Sequence, residues 1–270
     1  MTVPRAKIIA RLTSNVDVLL ATYSNRSGEA FLNELYDPFR SSGNSGAASP
    51  FIKTLFPKIK LAATLERALN TALGWGWDKV VHEIAEATHG NGEHSHDVKG
   101  QLPVVTTQAI EGIVNSYRDK PRRMPDTDAE LAAILPSVSL AGPKEQIEER
   151  DDAFYVDGDG VENHIEIKTP KPNYDQMKAA KRRILRIHAL RAQRKVRAFV
   201  GFPYNPNGRY GPYGWPTTGI YLDPSRDMLV GEEFWNYIGG SPDTYAELLD
   251  CFYTVGRARR LELLDLLSGD

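Results

Sequence analysis

The segment 152–168, DAFYVDGDGVENHIEIK, contains two short apolar runs on either side of the turn sequence DGDG. Asp-Gly steps tolerate the positive φ angles of hairpin turns, so the segment predicts two antiparallel strands. Side chains alternate between the two faces of a strand, and Glu166 and Lys168 therefore point the same way. By the same alternation, Ile165 and Ile167 point into the core.

Two carboxylates and an ammonium group are predicted to meet at the edge of this hairpin. Asp152, at the start of the first strand, lies across the hairpin from Glu166 and Lys168. Mg²⁺ prefers oxygen ligands and takes one or two protein carboxylates in sites that also bind phosphate. A lysine at such a site can orient the attacking water and offset charge on the phosphate. The alternative is an ordinary solvated hairpin face, since a motif of this spacing also arises by chance.

A strongly basic helix is predicted directly after the hairpin. Within 174–193, apolar side chains recur at helical spacing: Met177, Ala180, Ile184, Ile187 and Leu190. Between residues 176 and 201 there are nine positive charges and no acidic residue: Lys178, Lys181, Arg182, Arg183, Arg186, Arg191, Arg194, Lys195 and Arg197. Solvated helix faces generally mix both signs. This asymmetry predicts a surface that binds the phosphates of a polyanionic substrate.

The sequence after this helix predicts a buried strand and then an aromatic loop. Residues 196–202, VRAFVGF, suit an interior strand beside the hairpin. Residues 203–216, PYNPNGRYGPYGWP, are too rich in Gly and Pro for a helix or strand. The loop combines Arg209 with asparagines and aromatic rings, which can read base edges and stack on bases. A rigid surface loop is an equally good interpretation of this composition.

The first hundred residues are predicted to be mainly helical. Residues 5–36 and 51–87 show helical spacing, and a flexible linker is expected at 41–50. Glu66 and Glu83 lie on these helices and are candidates for a further acidic group at the active site. The tract HGNGEHSHD, at 89–97, matches no zinc-ligand spacing and predicts a mobile polar loop.

Shorter elements are predicted around and after the hairpin. Residues 128–135 suggest a short helix, while 138–141 and 220–222 suggest strand fragments. Residues 231–238 and 245–267 are predicted to be helical and to lie away from the phosphates.

Composition limits the class of protein. A chain of 270 residues with 41% hydrophobic and 25% charged residues suits a soluble globular protein with a proper core. The single cysteine, Cys251, excludes an internal disulfide and is expected to pack rather than react. No segment has the length of a membrane span or the apolar core of a signal peptide, so a cytoplasmic protein is expected.

Several segments resemble one family of nucleases. Asp152 with Glu166-Ile167-Lys168 is similar to the PD-(D/E)xK signature, although Asp151 precedes Asp152 where the signature has proline. The longer string EIKTPKPN, at 166–173, resembles the EIKT…PN signature of type II restriction endonucleases of the TdeIII-like group. Residues 66–74, ERALNTALG, resemble the ER…TxLG segment of that group, and weaker similarity extends from about 51 to 256.

The resemblance implies an α/β restriction-endonuclease-like fold, with a mixed central sheet flanked by helices and a helical N-terminal region. One nuclease domain would cover 1–270, with a mainly helical part at 1–100 and the catalytic core and DNA-binding loops at 101–270. It also implies a homodimer that cuts both strands of double-stranded DNA at a short palindrome. The TdeIII-like group is associated with GGNCC-type sites. A cognate DNA methyltransferase would be its functional, not physical, partner.

By the same resemblance, Asp152 and Glu166 would hold Mg²⁺ and Lys168 would position or activate the water. From charge and loop composition, the DNA-binding candidates are Lys171, Asn173, Lys178, Arg182, Arg186 and Arg209. Two alternatives remain open at the level of sequence. One is a structure-specific DNA repair or junction nuclease of the same fold, and the other is a non-catalytic DNA-binding protein.

Overall fold

A computed structural model describes residues 3–24, 76–118 and 124–262 of the protein. The chain divides into two compact units, Met1–Pro4 with Trp77–Glu247, and Arg5–Gly76 with Leu248–Asp270. The predicted linker at 41–50 and the helices predicted between 25 and 75, including Glu66, lie outside the described residues. The end of the predicted helix 245–267 also lies outside them.

Helices and strands alternate along the described chain. In chain order they are α1 (Arg5–Ser24), α2 (Trp77–His89), β1 (Glu93–Pro103), α3 (Val104–Ser116), α4 (Thr127–Ile134), a 3₁₀ helix (Leu135–Ser139), β2 (Lys144–Val156), β3 (Glu162–Ile167), α5 (Tyr174–Leu190), β4 (Val196–Phe202), α6 (Thr218–Tyr221), β5 (Met228–Val230), α7 (Glu232–Gly239) and α8 (Thr244–Ala258). None of the helices in 3–24, 76–118 and 124–262 is long and apolar enough to cross a membrane.

The five strands form one mixed sheet in the order β1-β2-β3-β4-β5. β1 pairs with β2, and β2 with β3, in antiparallel orientation, whereas β3 pairs with β4, and β4 with β5, in parallel orientation. β2 and β3 form the predicted hairpin, closed by a hydrogen bond from the Gly160 N–H to the Asp157 carbonyl (3.0 Å). Gly160 has a φ of 74°, which a glycine adopts without strain. The predicted hairpin and the predicted mixed sheet flanked by helices are both confirmed.

Helices α2 and α5 cover opposite faces of this sheet. The ring of Tyr155 on β2 stacks on His89 of α2, with ring centroids 4.5 Å apart. The preceding residue, Phe154, lines a cleft together with Ala189 and Leu190 of α5. Because adjacent residues of a strand point to opposite faces, α2 and α5 lie on different sides.

The helix predicted after the hairpin is α5, and its start is fixed by local hydrogen bonds. The Asn173 side chain accepts from the Gln176 N–H (2.9 Å), and the Gln176 side chain accepts from the Asn173 N–H (2.8 Å). This capping box satisfies two backbone donors that the first turn leaves free. The apolar face of α5 is buried in the main core, with Met177 and Ile184 almost inaccessible to solvent.

The interior strand predicted at 196–202 is confirmed as β4, which lies between β3 and β5. Val200 and Phe202 are fully buried. Gly201 lies so close to α7 that a Cβ atom there would be 2.2 Å from the Phe234 ring. A glycine is therefore needed for α7 to pack on this strand.

Three local predictions are wrong. Residues 138–141 are not a strand, because residues 138 and 139 end a 3₁₀ helix, Leu135–Ser139, with Pro136 in its first turn. Residues 220–222 are not a strand either, since Thr218–Tyr221 forms a short helix. The polar histidine tract is not a mobile loop: from Glu93 onward it is β1, which pairs with β2 at every residue except Ser95. Pairing with a long neighbouring strand outweighs the low strand propensity of this tract.

The second unit is described only in part. In α1, Ile8, Leu12 and Leu19 are buried, as the helical spacing predicts. Arg5 pairs with Asp250 (2.6 Å), and Arg259 pairs with Asp17 (2.9 Å). Cys251 is fully buried, consistent with a packing role. The sheet already begins at Glu93, before residue 101, and the assignment of 1–270 to one domain stays a prediction.

A buried ion-pair network fastens α5 to α4 and to the segment before β5. The ammonium of Lys181 lies 2.6 Å from Glu130 Oε2, 2.6 Å from Asp227 Oδ2 and 2.7 Å from Thr127 Oγ1. The side chains of Lys181, Glu130 and Asp227 are at most 1% exposed. Lys181 is therefore not part of a DNA-binding surface, contrary to the sequence prediction, because its charge is neutralised in the core.

Replacing Lys181 by methionine is expected to lower the free energy of unfolding by roughly 3–5 kcal/mol, because two buried carboxylates lose their counter-charge. Burial raises the pKa of Asp227, and Lys181 is the first group that opposes this rise. Urea unfolding of the full chain measures the change. Lys178→Met, on the same helix but half-exposed, is the matched control. An equal, small effect of both substitutions would contradict this account.

Stability is expected to fall in mild acid because of His188. Burial, together with the positive charges of Arg226, His164 and Lys181, lowers the pKa of His188 to about 4. The unfolded chain takes up this proton near pH 6.5 and the folded chain does not, so stability is complete above about pH 6.5 and is lost as the pH falls. Between about pH 7 and pH 5 the free energy of unfolding should fall by about 2 kcal/mol more in the wild type than in His188→Gln. Parallel pH profiles of the two proteins would exclude this contribution.

Candidate active site

The hairpin brings Asp152, Glu166 and Lys168 together, as the sequence predicts. The ammonium of Lys168 contacts Glu166 Oε1 and lies 4.0 Å from Asp152 Oδ2. Their side chains are 24% (Lys168), 13% (Glu166) and 39% (Asp152) exposed. The group is therefore partly desolvated but open to a ligand on the side of Asp152.

Asp152 lies where the regular pairing of β2 breaks on both sides. Pairing with β3 ends at Ala153 opposite Ile165. Beyond that point Asp152 Oδ2 itself accepts the Ile167 N–H (2.7 Å). On the other side, the register with β1 omits Asp152 and its counterpart Ser95, which has a φ of 57°. A side chain that replaces a backbone acceptor holds the two strands apart and opens the site.

The same break changes which face each side chain of β2 occupies. Glu149 contacts Arg186 of α5 (2.9 Å), whereas Tyr155 contacts α2. These two residues are an even number apart and would share a face in a regular strand. The alternation therefore shifts between them, at the position of Asp152.

The backbone of Lys168 is hydrogen-bonded to β4, and the pKa of its side chain is lowered. Its N–H donates to the Gly201 carbonyl of β4 (3.1 Å). Burial lowers the pKa of the Lys168 ammonium, and the charge of Asp152 opposes this shift. A less strongly basic, partly desolvated amine suits a group that orients a water or shares its proton.

Arginines of α5 lie beside the carboxylates, together with acidic residues that the sequence prediction missed. Arg183 contacts Glu166 Oε2, and its Nε lies 4.0 Å from Glu149 Oε2. Arg182 forms a two-pronged ion pair with Glu111 of α3, and its Nη2 lies 2.9 Å from Glu111 Oε2. This pair is the main cause that lowers the pKa of Glu111.

The basic surface of α5 is consequently smaller than the sequence predicts. Arg182 and Arg186 pair with Glu111, and Arg186 also pairs with Glu149. Further along, Arg194 Nη1 lies 3.2 Å from Glu162 Oε1. These carboxylates belong to α3, β2 and β3, so a count of charges along α5 alone does not include them.

The aromatic loop after β4 is hydrogen-bonded to the segment that follows β3. Tyr213 Oη donates to the Pro170 carbonyl (2.9 Å). Trp215 Nε1 and Thr217 Oγ1 both donate to the Pro172 carbonyl (2.8 Å each). Burial raises the pKa of Tyr213 to about 12, so its hydroxyl remains a donor at neutral pH. The loop thus lies next to the active site and is fixed there by hydrogen bonds.

The other DNA-binding candidates have different surroundings. Lys171 is exposed, with its ammonium 5.8 Å from the centroid of a Trp215 ring. Lys178 is half-exposed on α5, whereas the Asn173 side chain is used in the capping box. Arg209 forms a two-pronged ion pair with Glu232 of α7, with distances of 2.7 and 2.5 Å.

Only one of the two candidates for a further acidic group belongs to the part of the chain that the structure describes. Glu66 lies outside the described residues. Glu83 lies on α2, which covers the face opposite α5, whereas Glu166 contacts Arg183 of α5. Its role as an additional acidic group stays a prediction.

Comparison with known proteins identifies the family. Residues 9–256 match the family described as "Type II restriction endonuclease, HinfI". The chain belongs to this family of type II restriction endonucleases. It is therefore a site-specific deoxyribonuclease, a hydrolase that acts on DNA.

Individual relatives agree with this assignment. The type II restriction enzyme HgiBI of Herpetosiphon aurantiacus is 32% identical over 98% of this chain and 97% of its own length. The type II restriction enzyme HgiCII of the same organism is 30% identical over 97% of this chain and 96% of its own length. The type II restriction enzyme MjaII of Methanocaldococcus jannaschii is 25% identical over 74% of this chain and 56% of its own length.

Family membership confirms the broad resemblance seen in the sequence. It favours the restriction endonuclease over the repair nuclease and over the non-catalytic DNA-binding protein. The matching family is that of HinfI, so the finer assignment to the TdeIII-like group stays a prediction.

The ion pair between Arg209 and Glu232 allows the role of this endonuclease's aromatic loop to be tested. If Arg209 contacts DNA phosphate, Glu232→Gln should free it and strengthen binding. The slope of log K against log salt concentration should steepen by about 0.9, because one more counterion is released. Binding to duplex DNA is measured in Ca²⁺ buffer at several salt concentrations. In an Arg209→Gln background the Glu232→Gln change should have no effect. Unchanged binding by Glu232→Gln alone would place Arg209 away from the phosphates.

Proposed function

We propose that this restriction endonuclease hydrolyses both strands of duplex DNA at a short palindromic sequence, with Mg²⁺ as its cofactor and a PD-(D/E)xK-type site as its catalytic centre. The observation that carries the proposal is the convergence of Asp152, Glu166 and Lys168 at one edge of the hairpin. The family gives the class of reaction, and this geometry supports the choice of residues.

The donor set at this edge fits Mg²⁺. Asp152 and Glu166 offer carboxylate oxygens, the ligands that this hard cation prefers, and Mg²⁺ characteristically takes few protein ligands and shares the rest with waters and phosphate. Asp152, the more exposed of the two, is accessible from solvent. Bound there, Mg²⁺ would neutralise the scissile phosphate and lower the pKa of a water molecule.

The chain's own groups have separate roles in this proposal. Lys168, partly desolvated and of lowered pKa, orients the attacking water and shares its proton. Arg183 contacts Glu166 in the absence of DNA and lies close enough to offset charge on the phosphate. The flanking backbone is bound by residues at the exposed end of the site and on α5 and the aromatic loop: Lys171, Asn173, Lys178, Arg182, Arg186 and Arg209.

A homodimer is part of the same proposal. Cutting both strands of a palindrome requires two active sites related by the twofold axis of the DNA, and a twofold dimer supplies them. Concerted cutting would convert supercoiled plasmid directly to the linear form. The functional partner is a DNA methyltransferase that protects the same sequence in the host genome.

The first experiment incubates the purified chain with phage-sized duplex DNA and Mg²⁺. A sequence-specific enzyme gives a reproducible set of discrete fragments, and sequencing their ends gives the recognition site, with GGNCC as the first sequence to compare. Linear duplex left intact beside cleaved branched DNA would instead indicate a structure-specific nuclease.

Variants then test the catalytic residues. Asp152→Asn, Glu166→Gln and Lys168→Ala are each expected to slow cleavage by at least about 10²-fold, because each removes a charge from the reacting centre. Duplex binding in Ca²⁺ should persist in Lys168→Ala. Glu148→Gln is the matched control, since Glu148 lies on β2 like Asp152 but pairs with Lys99 (2.6 Å) on the surface. Wild-type cleavage by Lys168→Ala would rule out the assigned site.

A further inference from the structure

A second group of metal-ligand side chains lies across the first three strands. His96 on β1, Asp151 on β2 and His164 on β3 each present a ligand atom within 4.8 Å of the other two. His96 and Asp151 are register partners, and the ring of His96 lies 6.0 Å from that of His164. The group is distinct from the active site, although Asp151 immediately precedes Asp152.

Two of the three side chains are buried, whereas that of His96 is 19% exposed, and the group contains polar atoms without hydrogen-bond partners. The side chains of His164 and Asp151 are 0% and 1% exposed. Among the described residues, Asp151 Oδ1, His164 Nε2 and the nearby Glu162 Oε2 make no hydrogen bond. His164 Nε2 and Glu162 Oε2 lie 3.5 Å from each other, whereas no such partner faces Asp151 Oδ1 among the described residues. An unsatisfied buried polar atom costs about 1–3 kcal/mol, so Asp151 Oδ1 calls for a ligand or another explanation.

The hydrogen bonds of the two histidines fix their ring orientations, and both orientations are compatible with metal binding. His96 Nδ1 bonds to Glu93 Oε2 (2.6 Å), which leaves Nε2 available to a cation. His164 Nδ1 lies 2.7 Å from Asp151 Oδ2, and its Nε2 lies 3.5 Å from Glu162 Oε2. An ion between Asp151 and His164 Nδ1 would leave the His164 Nε2–H to donate to Glu162. Metal-bound histidines characteristically donate their other N–H to a carboxylate.

The nature of the donors selects the class of ion. Two imidazole nitrogens and one carboxylate oxygen suit zinc and related transition metals, whereas Mg²⁺ prefers oxygen alone. Tetrahedral ligands at about 2.0–2.1 Å from an ion lie roughly 3.3 Å apart, so the 2.7 Å contact between Asp151 and His164 would open only slightly. His96 and Glu162 also line a cleft of about 510 Å³, from which a water could complete the coordination.

The backbone is shaped to bring His96 into this group. His94 and His96 would share one face of a regular strand. Instead, His94 lies against His82 of α2, with ring centroids 5.8 Å apart, whereas His96 stacks on Phe154 at 4.0 Å. The left-handed Ser95 between them, with a φ of 57°, accounts for the change of face. A non-glycine residue in this conformation is uncommon and costs about 1 kcal/mol or more.

We propose that His96, Asp151 and His164 bind one zinc-class divalent ion, which ties β1, β2 and β3 together beside the active site. The ion is structural and goes beyond the proposed function, since it takes no part in hydrolysis. Because it binds only the folded chain, it raises stability in proportion to the logarithm of its concentration over its Kd.

The test uses the full chain, freed of metal with a chelator and carrying Asp152→Asn to weaken the Mg²⁺ site. Titration with Co²⁺ should produce visible absorption typical of nitrogen and oxygen coordination, saturating at one ion per chain, and Zn²⁺ should abolish it. The thermal unfolding midpoint should rise with Zn²⁺. Adding His96→Gln should weaken Co²⁺ binding by at least about 100-fold, since loss of an outer hydrogen-bond partner alone weakens metal binding 10- to 100-fold.

The matched control is His94→Gln, because His94 lies two residues from His96 on β1 and outside the group. This variant should bind Co²⁺ like its parent. Unfolding midpoints in chelator identify any variant that has lost its fold. Absence of the absorption, or absorption that survives His96→Gln, would overturn the proposal. Co²⁺ binding that the wild-type chain shows and the Asp152→Asn parent has lost would overturn it as well, because the ion would then occupy the proposed catalytic site. Cleavage assays with Mg²⁺ test the proposed function separately.

Discussion

The candidate active site depends on one interruption of regular strand geometry. At Asp152 and at its counterpart Ser95 the pairing of β2 with both neighbours is broken. In an unbroken ladder the Ile167 N–H would donate to a backbone carbonyl, and β2 would continue beside β3. Here the Asp152 carboxylate accepts that N–H. The strands separate at the point where Glu166 and Lys168 emerge, and the carboxylates and the ammonium group meet between them.

The second constraint is electrostatic. Concentrating arginines on α5 beside a carboxylate site would be self-repelling without nearby counter-charges. The structure provides them from other elements, with Glu111 beside Arg182, Glu149 beside Arg186 and Glu166 beside Arg183. The pair of Arg182 and Glu111 is the most exposed of the three, so its ions can exchange partners at modest free-energy cost. Under the proposed function, DNA phosphates would take over such arginines.

The fold was largely predictable from local patterns because its elements are locally well specified. The Asp-Gly turn, the apolar spacing of α5 and the run VRAFVGF each predict their element without reference to distant residues, and all three are confirmed. The tract that contains His94 and His96 was mispredicted because its composition is that of a loop. Only pairing with the long strand β2 makes it a strand, and that information is not local.

The sequence by itself determined the hairpin, the meeting of Asp152, Glu166 and Lys168, and the family, because those residues are close in the chain or follow a recognisable string. Tertiary structure alone decided which charges remain free. Lys181 looks like one basic residue among nine, yet it is buried against Glu130 and Asp227. Likewise, His96, Asp151 and His164 come from three strands, and no spacing along the chain predicts their meeting. Charge pairing and ligand clustering depend on distances through space, and the folded sheet sets those distances.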